Sequence, residues 1–469
     1  MLLQSLLRPV LTPLMRGMFD APIASSAAWS PIALWPDGIA TPGMWISPRD
    51  LTSQWQDSAG ITPVATPGTV ADSANPVGLA LDIRAGATVL TDPGLHMLQS
   101  TSAARPLASA RVNLLTYTED FTSAAWTAYQ ATVSSNATTA PDGTLTADLV
   151  TETVSANDQK NLSRFTQSPI PNGVICTISH YVKANGCNYV MLSPDSGGYS
   201  SATFDIVSGV FLRSNGSGQY IAGSALCEDA GNGWFRISAA FLTGSSYFQY
   251  SLKLNRLNQN TQDPNYAGDG VSGVFVWGVQ YEIGTQATDY QAILTDGSTY
   301  ATGFPIAQKY DGVDDGMATA AFAAGTLIDG MDCMIPVRRD SAASCVAGLY
   351  NGVADATKFF GMAESASGSG CVGSGAGTPT VWVDNTQLTG GTAVTRGTLH
   401  TALTVGDWHI LEFRNLDLST WAAAGFGLYT SYVFPGPRGD ILLYPSTTST
   451  EDKDAARQWL ADYYGVTLP

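Results

Sequence analysis

Residues 266–290 read YAGDGVSGVFVWGVQYEIGTQATDY: a glycine-rich turn, a dense apolar run and a second polar turn. Such a segment fits a sugar-binding sheet, a buried core strand or a catalytic loop. The run is apolar on both alternating faces, with Val274, Val276 and Gly278 on one and Phe275, Trp277 and Val279 on the other. Strands buried on both faces show this pattern. We therefore expect a central strand whose flanking loops, not its centre, meet a ligand.

The surrounding runs point to the same architecture. Between residues 111 and 299, segments such as VICTISHYVKA, SATFDIV, FRISAAFLT and YFQYSLKL alternate at period two, and turns rich in Gly, Asn and Asp separate them. This is typical of antiparallel sandwiches. Residues 303–449 are also strand-like, and only residues 450–466 predict a helix, with Thr450 as N-cap and Gly465 as the stop. The predicted fold class is all-β: two jelly-roll-type β-sandwiches, a short N-terminal arm and a C-terminal helix.

Composition limits the function classes. A chain of 469 residues is long enough for two to four domains. It is only 13% charged and contains 48 Gly and 24 Pro, which favours strands and turns over surface helices. The formal charge of −17 opposes binding to phosphate backbones, which requires clustered Lys and Arg. Nucleic acid is therefore excluded as a partner.

The six cysteines give no disulfide or metal pattern. They lie at Cys176, Cys187, Cys227, Cys333, Cys345 and Cys371, without C-x-x-C spacing. We predict mostly buried, reduced thiols. Pairing of Cys176 with Cys187, or of Cys333 with Cys345, stays open as an alternative.

The first nineteen residues carry a one-sided apolar stripe. Arg8 and Arg16 interrupt the segment and Pro9 and Pro13 break it, so it matches neither a transmembrane span nor a signal peptide. Three alternatives remain for the surface that buries this stripe: its own domain, a neighbouring subunit or larger assembly, and a lipid surface. Residues 23–42 are expected to form an extended connector. The predicted assembly contacts are Leu3, Leu6, Leu7, Val10, Leu14 and Met18.

Aromatic and amide side chains of the central region are candidates for carbohydrate binding. Sugars bind through aromatic faces that stack on C–H surfaces and through amides and carboxylates that take the hydroxyls. On strand YFQYSLKL, alternation places Tyr247 and Gln249 on the face that we expect to be exposed. For each candidate, packing in the core is the competing interpretation. The candidates are Trp126, Asn188, Tyr199, Trp234, Tyr247, Gln249 and Tyr266.

One acidic turn is a candidate metal site, and no catalytic motif stands out. The sequence DGVDDG places Asp311, Asp314 and Asp315 within one glycine-bounded turn, so calcium is the candidate ion. A turn held by Asx hydrogen bonds is the competing interpretation. The four histidines are isolated, and the chain lacks H-E-x-x-H, G-x-S-x-G and P-loop motifs and any strand-linked G-x-G-x-x-G motif. We therefore predict a protein that is not an enzyme and needs no cofactor, and calcium binding at the acidic turn stays open.

Four ordered segments carry a family resemblance. Residues 113–126 (NLLTYTEDFTSAAW), 140–150 (APDGTLTADLV), 230–238 (AGNGWFRIS) and 266–284 resemble the carbohydrate-binding-module-like jelly rolls of tailed-bacteriophage virion proteins. The flanking text, including GMWISPRDLTSQWQDSAGITPV, YDGVDDGM and GDILLYPSTTST, resembles the two parts of one concanavalin A-like (laminin G-like) lectin sandwich. LLRPVLTPLMRGMF is similar to the arms that open phage tail or fibre proteins.

The resemblance implies an insertion. The domains would be an attachment arm and linker at 1–43, a discontinuous lectin sandwich at 44–110 and 301–469, and an inserted jelly roll at 111–300. Domain insertion is well tolerated where the host's chain ends lie close together on its surface.

The resemblance also implies a role. The protein would be a tail or fibre component of a tailed-phage virion, made in the host cytoplasm without a signal peptide and attached to other virion proteins by its arm. Its sandwiches would recognise host-surface glycans. A trimer or higher homo-oligomer fits such particles. A purely structural decoration or spacer is the alternative, and a polysaccharide depolymerase is a third reading.

Overall fold

The computed structural model describes residues 29–64, 75–84, 89–91, 94–166, 170, 172–194, 200–216, 218–244, 249–295, 304–352, 356–389 and 394–469. The predicted assembly contacts Leu3, Leu6, Leu7, Val10, Leu14 and Met18 lie outside these ranges, and so do the glycan candidates Tyr199 and Tyr247.

The chain is an all-β protein. The first strands are β1 (Met44–Ile46), β2 (Gln54–Trp55), β3 (Leu79–Ala80), β4 (Met97–Leu98) and β5 (Leu107–Ser109). The middle strands are β6 (Thr127–Tyr129), β7 (Ala131–Thr138), β8 (Ala147–Glu152), β9 (Asn161–Phe165), β10 (Ile175–Asn185), β11 (Tyr189–Pro194), β12 (Ser200–Asp205), β13 (Val210–Gly216), β14 (Leu226–Gly231), β15 (Trp234–Leu242), β16 (Gln249–Leu254) and β17 (Gly273–Ile283).

The last strands are β18 (Ala307–Asp311), β19 (Met317–Thr319), β20 (Asp329–Arg338), β21 (Cys345–Val346), β22 (Met362–Ala363), β23 (Thr380–Val383), β24 (Thr386–Gln387), β25 (Trp408–Asp417), β26 (Gly425–Phe426), β27 (Leu428–Tyr429), β28 (Tyr432–Val433), β29 (Pro435–Arg438) and β30 (Ile441–Pro445). Two α-helices are described, α1 (Arg396–Ala402) and α2 (Thr450–Tyr464). Within the described ranges, neither helix is long and apolar enough to cross a membrane.

Strands from both ends of the chain build one pair of sheets, which we call the split sandwich. A nine-stranded sheet runs β24-β23-β25-β20-β29-β18-β5, with β30 pairing with both β20 and β1. A five-stranded sheet runs β2-β3-β4-β19-β26. Side chains of both sheets, such as Ile335, Leu411, Met97 and Phe426, share one core.

Strands β6–β17 build a second pair, the central sandwich. Its two six-stranded sheets run β14-β15-β10-β17-β8-β7 and β13-β12-β11-β16-β9-β6. Ile178 and Val276 of the first sheet pack against Leu192 and Leu252 of the second. No strand of this unit pairs, within the described residues, with a strand of the split sandwich. The exact domain boundaries, and independent folding of either unit, stay predictions.

The apolar run of residues 273–283 is a central strand, β17, between β10 and β8. Its predicted two-face pattern changes at one point. Gly278 has φ +61°, and the register with β10 shifts beside it. Such a bulge reverses the alternation that follows. Val279 therefore joins the core with Val274 and Val276, rather than the face of Trp277 as alternation predicted.

The C-terminal helix α2 begins one residue earlier than predicted. Ser449, not Thr450, is the N-cap, and its Oγ accepts the N–H of Asp452 at 3.1 Å. Either hydroxyl type can cap a helix, so the sequence left two choices. Gly465 ends the helix in the left-handed conformation, as predicted.

The described part of the expected connector is not an extended link, because Trp35 is 1% exposed and packs in the core beneath α2.

All six cysteines are free thiols, so the alternative pairings are not formed. Five are buried and Cys227 is half-buried. Burial raises the pKa of Cys187 to about 12 and that of Cys227 to about 11, which keeps both thiols protonated at neutral pH.

Candidate functional site

The outward face of one central sheet carries a row of hydroxyl side chains. In the sheet β13-β12-β11-β16-β9-β6, Leu162, Leu192 and Leu252 point into the core, so the residues that alternate with them point outward. Strand register aligns four hydroxyls on that face: Thr127, Ser163, Ser251 and Ser193. Because Leu192 pairs with Ala202, Ser201 on β12 comes next. We call these five residues the hydroxyl row.

Two aromatic rings flank one end of this row. Tyr129 on β6 is 44% exposed and Phe165 on β9 is 58% exposed, and they are the exposed aromatic side chains of the described residues. Register pairs Tyr129 with Asn161 and Phe165 with Gln249. We call these four residues the aromatic end. Both rings and both amides thus lie on one outward face.

A hydrogen bond positions the tyrosine ring. The Tyr129 hydroxyl donates to Asp158 Oδ2 at 2.8 Å. This bond raises the pKa of Tyr129 and lowers the pKa of Asp158. The hydroxyl therefore stays protonated and the carboxylate ionised at neutral pH. A ring held in this way offers its face to a ligand with little loss of side-chain entropy.

Three predicted stacking residues belong to the core, and the prediction was wrong for them. Trp126 is 7% exposed, Trp234 is 1% exposed and Tyr266 is 2% exposed. The indole N–H groups of Trp126 and Trp234 donate to the backbone carbonyls of Tyr117 and Thr139. Rings enclosed in this way cannot stack on a sugar, since both faces already contact protein.

The remaining predicted residues are separated along the sheet. Gln249 is half-buried on the outward face of β16, directly opposite Phe165. Asn188 is exposed but precedes β11, whose first residues pair with the far end of β16. At about 3.3 Å per residue, roughly 20 Å separates Asn188 from Gln249. The structure therefore places Gln249 at the aromatic end and Asn188 away from it.

The acidic turn brings its three carboxylates together. One oxygen each of Asp311, Asp314 and Asp315 lie within 4.8 Å of one another. Asp315 Oδ2 accepts the N–H of Asp311, and Asp311 Oδ1 accepts the N–H of Val313. Burial, with the Asp311 and Asp314 charges, raises the pKa of Asp315 to about 7. Calcium takes six to eight oxygens, and two of those present already serve the turn. Calcium binding stays a prediction.

His409 is not isolated, although its sequence context gave no partner. Its Nδ1 contacts Asp384 Oδ2 at 2.6 Å, and its Nε2 contacts the Thr404 hydroxyl at 2.8 Å. This order of groups resembles a nucleophile, base and orienting acid. However, the Thr404 N–H also donates to Nε2, and the Thr404 hydroxyl also contacts Asp407. The imidazole lone pair is thus engaged in holding the 404–407 turn, which explains the cluster without catalysis.

Comparisons with known proteins give a limited result. A scan against models of known protein families found no match, and a search of curated proteins found none either. Among solved structures, the chain matches the N-terminal CBM22-1-CBM22-2 tandem domain from Paenibacillus barcinonensis Xyn10C. The match has 12% identity and a TM-score of 0.22, and covers 72% of this chain and 99% of that one. At this TM-score the two arrangements differ too much for the match to carry an argument about function.

Proposed function

We propose that the central sandwich is a non-catalytic carbohydrate-binding unit and that the aromatic end is its open binding surface. One observation carries the proposal. In the described residues, exposed aromatic side chains occur only as Tyr129 and Phe165, and both lie on the same face of the same sheet. Aromatic side chains dominate the energetics of interfaces because each buries a large apolar area on contact with a partner.

The neighbouring groups suit sugars. Asn161 and Gln249 each offer amide donors and an acceptor beside a ring, which is what sugar hydroxyls require. The carboxylate of Asp158 accepts the Tyr129 hydroxyl, so that the phenol oxygen remains an acceptor for a ligand. An aromatic peptide or lipid would use the rings but would leave these polar groups without partners.

Ring truncation tests the proposal. A sugar that covers about 50 Å² of one ring contributes about 1.2 kcal/mol at about 25 cal/mol per Å², or roughly eightfold in Kd. We expect Tyr129→Ala and Phe165→Ala each to weaken binding on a glycan array and in titration calorimetry by this factor. Leu226→Ala is the matched control, since Leu226 is 48% exposed on β14 of the other sheet. Failure of the wild-type protein to bind any glycan, or equal losses in the control, would contradict the proposal.

We also propose, from the family resemblance, that the chain is a tailed-phage virion component attached by its N-terminal arm, within residues 1–43. One contact supports a fixed point of attachment: the Trp29 indole donates to Asp452 of α2 at 3.0 Å. Trp29, the first described residue, therefore lies beside α2. The test is incorporation into particles. A chain lacking residues 1–28 should bind glycans normally and be absent from purified virions. Incorporation with no glycan binding would favour the spacer alternative.

A further inference from the structure

A loop segment crosses the outward face beyond the aromatic end. Residues 256–265, the crossing segment, follow β16. Arg213 on β13 donates to the carbonyl oxygens of Asn258 and Gln259 at 3.1 and 2.8 Å. Lys253 on β16 contacts Asp263 Oδ1 at 2.5 Å. Since β12 and β11 lie between β13 and β16, the segment passes over both of them.

The covered face is buried, but several of its hydroxyl groups lack hydrogen-bond partners among the described residues. Thr203, Ser201 and Ser251 are 0% exposed. Their hydroxyl oxygens have no hydrogen-bond partner among the described residues. Burying a hydroxyl without a partner is unfavourable, and here three such groups lie on one face, two on β12 and one on β16, with β11 between them. The crossing segment covers this surface without matching its hydrogen-bonding groups.

The contacts that the segment does make are those of an anion. Arg213 and Lys253 are the two cations of this face among the described residues, and they lie at either end of one cross-strand line through Thr203 and Met191. The segment supplies carbonyl oxygens to one and a carboxylate to the other. Lys253 is 1% exposed, and the carboxylate of Asp263 is its ion-pair partner.

We propose that the crossing segment occupies the binding site of an acidic glycan. The glycan displaces the segment and binds along the hydroxyl row next to the aromatic end. The carboxylates of the glycan replace Asp263 on Lys253 and the carbonyl oxygens on Arg213. Its hydroxyls pair with Ser201, Thr203 and Ser251. The proposal rests on the proposed carbohydrate binding and adds the class of ligand, a polyhydroxylated chain that carries carboxylates.

The net charge of −17 does not oppose this ligand at close range. Repulsion between exposed charges falls off over about 8 Å at physiological ionic strength, whereas Lys253 and Arg213 would contact the ligand directly. Affinity for the acidic glycan should therefore fall as salt increases. Binding at the aromatic end alone should change little with salt.

Matched glycan pairs test the proposal. The probes are oligogalacturonate and oligoalginate, each beside its carboxyl-reduced neutral form, within the same array as a broad neutral set. We expect the acidic form to bind at least tenfold more tightly. Lys253→Met should remove this preference, so that the acidic form binds no more tightly than its reduced form. Asp263→Asn should raise affinity for the acidic form several-fold, because the competing carboxylate is gone. Melting curves of each variant check that it folds.

Hydrogen exchange gives a second readout that does not depend on the variants. The Gln259 N–H donates to Asn255 Oδ1 within the closed segment. Its exchange should become faster when the acidic glycan is bound. Equal binding of acidic and reduced glycans, or unchanged affinity in Asp263→Asn, would overturn the inference while leaving the aromatic end intact. If the wild-type protein bound no glycan, or if Phe165→Ala bound glycans as tightly as wild type, the proposed function itself would be contradicted.

Discussion

Replacing Glu152 by Gln tests how the crossing segment is anchored to the sandwich. Glu152 ends β8 and its carboxylate is buried. Its Oε1 accepts from Arg256 Nε at 3.0 Å and from the N–H of Asp269 at 2.9 Å, so it holds the first residue of the segment and a residue just after the segment. It also supplies negative charge near the fully buried Lys160. The amide keeps the shape and one acceptor oxygen but removes the charge.

The expected loss follows from which partners can reach water. Removing one member of a buried ion pair costs about 3–5 kcal/mol. The Arg256 side chain is 26% exposed and can rehydrate, whereas Lys160 cannot. We therefore expect about 3 kcal/mol for the variant at neutral pH, at the lower end of that range. For a unit of roughly 180 residues this lowers the melting temperature by about 6–12 °C.

The pH dependence separates this cause from loss of packing. Burial lowers the pKa of Lys160, and the Glu152 charge counteracts it. A lysine whose folded pKa lies below its unfolded value weakens folding at low pH, and the penalty disappears as pH rises toward the unfolded value of about 10.4. Removing Glu152 enlarges that penalty. Between neutral pH and about pH 10.4, the difference between Glu152→Gln and wild type should therefore shrink as pH rises through the folded pKa of Lys160.

Differential scanning calorimetry across this pH range is the measurement. Glu228→Gln, on the exposed edge strand β14, is the matched control and should shift stability by less than about 0.5 kcal/mol. A shift in Glu152→Gln no larger than in this control would refute the reasoning. So would a deficit that stays constant with pH, since it would place the cost in packing rather than in the Lys160 charge.

Three further changes probe the split sandwich and its contact with the central one. Burial raises the pKa of Asp315 to about 7, so the folded state keeps a proton that the unfolded chain loses near pH 4, and the stability of the fold decreases as pH rises from about 4 to about 7. In urea titrations, Asp315→Asn should make this decrease smaller. A rise in wild-type stability on adding calcium at pH 8, absent in the variant, would establish the metal site. Gly406→Ala should lower the melting temperature, because φ is +91° and the new Cβ would come within 2.5 Å of Gly284 Cα. Ser449→Ala should cost about 1 kcal/mol through loss of the cap on α2, measured by chemical denaturation.

The sequence predicted the fold class because period-two alternation is a local signal. Strands β10, β15 and β17 are nine to eleven residues long, and the alternation of side chains assigns their faces from the sequence except beyond Gly278 in β17. The bulge at Gly278 was not predicted, since a glycine within a strand is compatible with either register. Alternation also identified the outward face of Gln249.

Aromatic residue type failed as a guide to the binding surface. Trp126 precedes β6 in an irregular segment and Tyr266 follows the crossing segment, so neither has an alternation pattern that assigns it to a face. A usable signal was present in NLSRF, where Phe165 shares its period with Asn161 and Ser163 while Leu162 is opposite. The polar residues that share a strand face with Phe165, rather than its aromatic type, predict that Phe165 is exposed.

The hydroxyl row could not be predicted from any local pattern. Thr127, Ser163, Ser193 and Ser251 come from four strands that are far apart in sequence, and each serine alone is an ordinary polar residue of an outward face. Only the pairing order β11-β16-β9-β6 aligns them, and that order depends on long-range contacts that loop-closure entropy makes hard to infer from sequence. The absence of hydrogen-bond partners for the buried hydroxyls of Ser201, Thr203 and Ser251 among the described residues likewise depends on what covers the sheet. Buried hydroxyl groups without hydrogen-bond partners are thus the feature that points to a ligand here, and they arise only after the strands have assembled.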